Sequence, residues 1–106
     1  MVSVKTVAAQ KEFYEMNKLF KRSSFRYMSN LGRIMNQCET EIRKYPLMIL
    51  CGDRDIPFAL ELSEKWNVSE TNSKFHKISN AGHCANMDNP IEFNAVLDGF
   101  LESVGL

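Results

Sequence analysis

The sequence predicts an α/β chain with two parallel strands, at about 46–51 and 74–79, and helices at about 4–20, 24–38, 58–67 and 90–104. Three observations predict it. Leu47-Met48-Ile49-Leu50-Cys51 is a short apolar run closed off by Pro46 and Gly52, and a run of that length and continuity is what a parallel strand buried on both faces requires. A weaker run follows at Lys74–Ser79 with a helical stretch between the two, and strand, helix and strand in succession imply a crossover joining parallel neighbours. Finally, Phe93, Val96, Leu97, Phe100, Leu101 and Val104 recur at i, i+3, i+4, i+7, i+8 and i+11, one helical face made to lie on a sheet.

The elements follow in chain order. Val2, Ala9, Phe13, Met16 and Phe20 fall on one stripe of the first helix, and Ser23 and Ser24 interrupt it as candidate caps for the second. In that second helix Tyr27, Leu31, Ile34, Met35 and Cys38 again make a continuous apolar face. Such stripes, rich in Met and Phe, serve either as packing surfaces or as the lining of an apolar substrate pocket. Pro46 disfavours helical geometry at Tyr45, so the chain passes there into the first strand. Pro57 suits the first turn of the next helix, where Ala59, Leu62 and Trp66 share a face. The polar stretch 67–73 returns the chain to the sheet. Asn89 as cap, Pro90 at the first helical position and Glu92 in the first turn mark the start of the last helix.

Composition narrows the class. In 106 residues, 44% are hydrophobic and 25% charged, the balance of one soluble domain. A formal net charge of zero argues against nucleic acid as a partner. The charge is uneven along the chain: residues 1–36 carry seven Lys and Arg against two acids, and residues 37–106 carry six against eleven. Mutual attraction or plain solvation of the two parts accounts for this better than an anionic-membrane or acidic-partner surface does. No apolar run reaches the ~20 residues that cross a bilayer. Three cysteines without paired spacing and no signal-peptide pattern predict reduced thiols and a cytoplasmic protein.

The chemistry-bearing residues gather after the strands. Asp53 and Asp55 follow the first strand in Cys51-Gly52-Asp53-Arg54-Asp55, and His83 follows the second in Asn80-Ala81-Gly82-His83. The carboxyl edge of a parallel sheet is where open α/β folds keep their sites. An imidazole there can move a proton near neutrality, and a carboxylate beside it can hold its tautomer. Asp53 and Asp55 compete as the acid, Arg54 between them can pair with either, and Asp88 is expected to help cap the last helix. Cys84 next to His83 suggests a Cys–His dyad, or a metal site with His76, but neighbours in sequence rarely meet as nucleophile and base and the His76 spacing matches no common zinc pattern. Cys38 and Cys51 read as small buried residues.

From Tyr45 onward this order of apolar strand, Gly-x-x-Asp, helix, strand, Gly-His and amphipathic helix resembles the carboxyl-terminal part of the α/β-hydrolase family. The resemblance implies a partial α/β-hydrolase fold, with residues 1–44 a helical cap-like segment and residues 45–106 the strand–helix–strand–helix end of the core. It implies that Asp55 and His83 are the acid and histidine of a nucleophile–His–acid triad, acting on an ester, thioester, amide or related bond through a covalent intermediate and without a cofactor. The chain departs from the family in one respect that matters. It has no Gly-x-Ser-x-Gly, nor that elbow with Cys or Asp at its centre, and with the elbow goes part of the oxyanion hole. The resemblance therefore implies a fragment or truncated product, inactive alone, that meets a small ester-like substrate only when paired with an amino-terminal half. The alternative is a non-catalytic interaction or structural module, self-associating through its open sheet.

Overall fold

The computed structural model describes residues 3–21, 23–24 and 44–106. Its elements are α1 (Val7–Asn17), β1 (Leu47–Gly52), α2 (Pro57–Ser69), β2 (Ser73–Ile78), α3 (Ala85–Asp88) and α4 (Pro90–Ser103). Residues 25–38 of the second helix anticipated at 24–38, with its face from Tyr27 to Cys38, and half of the cap-like segment 1–44 lie outside the described residues.

β1 and β2 pair in parallel, with Leu47 opposite Ser73, Ile49 opposite Phe75 and Gly52 opposite Ile78. Alternation along the strands divides the side chains between two faces. Lys77 reaches Glu64 of α2 at 2.6 Å, whereas Lys74 bonds Ser103 and His76 bonds Glu92 of α4. Odd-numbered strand residues therefore face α2 and even-numbered ones face α4, giving a helix on each side of the sheet. Ile78, Ala81 and Ala85 form one buried cluster, with Leu50, Phe93 and Val96 packed against it, and Val4, Ala9, Ile49 and Cys51 are buried as well.

Several details differ from the sequence-based expectation. β1 is covered less completely than its apolar run predicts, because α4 lies over β2 and leaves Met48 and Leu50 half-buried. α1 begins at Val7 rather than near Val4, since Thr6 is its cap and accepts from Ala9 N with its side chain. It loosens after Asn17, where Leu19 N and Phe20 N bond three residues back instead of four. Among the described residues of the predicted α1 stripe only Ala9 is buried; Met16 and Phe20 are exposed. α2 is also turned: it directs Ala59, Leu60, Ser63 and Asn67 toward the sheet and leaves Leu62 and Trp66 exposed. Lys77–Glu64 and the proximity of Ser63 to Cys51 hold that rotation. α3, absent from the sequence-based expectation, is one turn in which Asp88 N bonds Cys84 O and Asn89 N bonds Ala85 O.

Candidate functional site

β1 ends in a glycine because the neighbouring loop passes directly over it. A Cβ on Gly52 would stand 2.1 Å from Ala81 O and 2.3 Å from Gly82 O, closer than any real contact. This approach lets the loops after β1 and β2 bond to each other. Asp53 N donates to Ile78 O and Arg54 N to Ala81 O, both at 2.9 Å, and Ala81 N returns a bond to Asp53 Oδ1 at 3.1 Å. Asn80 holds a left-handed backbone at φ 55°, which a short amide tolerates, and its side chain accepts from Arg54. Asp53 and Arg54 are thus spent on the loops, and Arg54 pairs with Asn80 rather than with either neighbouring acid.

Asp55 and His83 are brought together. His83 Nδ1 lies 3.0 Å from Asp55 Oδ2 and 3.3 Å from Oδ1, and Oδ1 also accepts from Ile56 N at 2.7 Å. The side chain of Asp55 is 4% exposed and that of His83 is 60% exposed. An ionised carboxylate only accepts, so Nδ1 carries the shared proton and the neutral ring keeps its lone pair on Nε2. Among the described residues Nε2 has no hydrogen-bond partner. The arrangement is a held imidazole with one nitrogen free to take a proton.

The remaining sequence candidates fall elsewhere. His76 pairs with Glu92 on the α4 face at 3.1 Å, where Glu92 also accepts from Ser79 N and from Asn89 Nδ2. The His76 bond, followed by the Ser79 bond, holds the Glu92 carboxyl below its usual range. Among the described residues no group of three or more His, Cys, Asp and Glu could hold a metal ion. Cys84 is partly buried, and burial, with the charges of Asp88 and Asp55 behind it, pushes its thiol up. Burial likewise raises the Cys51 thiol, outweighing the pull of Lys77. Thiols shifted in that direction are poor nucleophiles at neutral pH. The open groove lined by Met48, Phe75, His76, Val96 and Phe100 touches neither Asp55 nor His83.

Asp88 is the functional-looking residue that the sequence conceals. Instead of capping α4, which Asn89 does by accepting from Glu92 N, its buried carboxylate accepts from three backbone amides. Lys5 N lies at 2.8 and 2.9 Å from its two oxygens, Thr6 N at 2.7 Å from Oδ1 and Gly82 N at 2.8 Å from Oδ2. Burial raises its pKa, but the amides of Thr6, Gly82 and Lys5 outweigh that and hold the carboxyl below its usual range. Two of the three donors lie 82 and 83 residues away in sequence, so no local pattern signals the site.

Comparison with protein-family models, with curated proteins and with solved structures finds no match to this chain. The described residues define a mixed chain of helices with one two-stranded parallel sheet, consistent with part of an α/β fold. Among them no helix is long and apolar enough to cross a membrane.

Proposed function

We propose that this chain supplies the acid and the base of a hydrolytic triad, Asp55 and His83, to an α/β-hydrolase-type site whose nucleophile comes from outside the chain. The observation that carries the reading is the pair itself: a 3.0 Å contact between a buried carboxylate and an exposed imidazole, both presented from loops at the carboxyl ends of adjacent parallel strands. In the proposed cycle His83 Nε2 takes the proton of an attacking hydroxyl or thiol while the nucleophile bonds to the acyl carbon. His83 then returns the proton to the leaving alcohol, thiol or amine as the tetrahedral adduct collapses. Asp55 keeps Nδ1–H directed toward itself and stabilises the transient imidazolium. The substrates are small molecules with an ester-like bond.

Complementation tests the reading. The chain is mixed with an amino-terminal α/β-hydrolase part that carries Gly-x-Ser-x-Gly but lacks its own acid and histidine, and p-nitrophenyl acetate is the probe. Hydrolysis that needs both parts, vanishes with His83→Ala and survives His76→Ala supports it. Hydrolysis indifferent to His83 refutes it.

A second reading, a non-catalytic module that associates through its surface, draws on a different observation. Phe58, Leu62 and Trp66 recur every four residues along α2 and are all exposed, an apolar strip of the kind that marks interaction surfaces. Sedimentation of the isolated chain separates the two readings: a monomer at every concentration tested argues against the module.

A further inference from the structure

We infer that Asp88 is a positioning residue for His83, holding the turn that carries the imidazole; the inference rests on the acid–base reading of Asp55 and His83. His83 stands between two residues whose amides are both taken up. Gly82 N donates to Asp88 Oδ2 at 2.8 Å, and Cys84 N donates to Ser3 O at 2.9 Å. The same carboxylate takes Lys5 N and Thr6 N, so it ties residues 3–6 to the turn that those residues themselves brace. Contact between the two is close: a Cβ on Gly82 would meet Ser3 O and Lys5 Cγ at 3.0 Å.

Only a carboxylate suits the position. Three N–H groups converge on two oxygens, and an amide in its place would offer one acceptor and turn an NH2 toward a donor. Asp88 is 9% exposed, so water cannot readily replace it. With Gly82 released, the turn loses the bond that sets the direction of His83, and the proton-sharing contact with Asp55 goes with it. Asp88 touches neither the imidazole nor any reacting atom; it acts through the backbone on either side.

The test is the tautomer of His83, read from its ring 15N shifts with the imidazole neutral, together with amide exchange. The expected wild-type result is an excess of the Nδ1–H tautomer that Asp55→Asn removes. Asp88→Asn is expected to remove the same excess while slow exchange persists at the β1 and β2 amides, which reports an intact sheet. Should Asp88→Asn fail to fold, Gly82→Ala presses on Ser3 O and the Lys5 side chain with Asp88 in place, loosening the bracing of the turn by residues 3–5, and the excess should again be lost. Retention of the tautomer excess in a folded variant, with Lys5 and Thr6 amides exchanging fast, overturns the inference and leaves Asp88 a fastener of the amino-terminal segment alone. A wild-type ring with no excess, unchanged by Asp55→Asn, instead overturns the acid–base reading and the inference with it.

Discussion

At the residue scale, the two histidines carry the sharpest contrast, because each pairs with a carboxylate but in a different setting. Asp55 is almost wholly buried beside His83, whereas Glu92 is shared among His76, Ser79 and Asn89 on an open face. In the complemented enzyme His83→Ala should lower kcat/KM by about 10⁴-fold or more and Asp55→Asn by about 10⁴-fold, the size of effect that loss of the base or of its tautomer has in triads. His76→Ala should leave it unchanged. Asp88 governs stability as well. Asp88→Ala strips three amides of a charged acceptor and should cost about 3 kcal/mol in urea unfolding. Its folded pKa lies below the unfolded one, so its contribution is fully present above the unfolded value of about 4 and is lost as pH falls through the folded value. Acid unfolding of Asp88→Asn should accordingly lose part of the steepness that the wild type shows below about pH 4, a difference that circular dichroism against pH would register.

At the element scale, the close approach of the two loops depends on the absence of a side chain at one position. Gly52→Ala forces a Cβ against two backbone oxygens, Ala81 O and Gly82 O, and Ala81 O cannot move without breaking the bond from Arg54 N. The variant should lose about 3 kcal/mol or more in denaturant, or fail to fold. Asn89→Ala removes the cap of α4 and a bond to Ser79 O, and about 1 kcal/mol should follow. The strand pairing and the places of α2 and α4 were legible from periodicity and from Pro46, Gly52, Pro57 and Pro90. The rotation of α2 was not, because Phe58, Leu62 and Trp66 form as good an apolar stripe as the face that meets the sheet. The face that packs carries Ser63 beside Cys51 and Glu64 beside Lys77, residues that carry no hydrophobic signal.

At the scale of the whole molecule, the described sheet has only two strands, and much apolar surface stays exposed on α1 and α2. Among the described residues neither strand has a second neighbour, and so small a sheet favours association. Replacing Leu62 and Trp66 with Glu and Lys should therefore weaken any self-association seen by sedimentation without altering the fold by circular dichroism. Persistence of the same oligomer would assign contact to another surface, the sheet edge first.

The sequence by itself determined the alternation of strand and helix, the parallel pairing and the placing of Asp55 and His83 after strand ends, since hydrophobic spacing and the backbone limits of Pro and Gly act between near neighbours. Tertiary structure alone decided that Gly52 lets two loops lace together, that Asp55 is buried while His83 is open, and that Asp88 gathers amides from the far end of the chain. Burial and long-range hydrogen bonding are properties of what surrounds a residue, and those surroundings exist only once segments distant in sequence have been packed side by side.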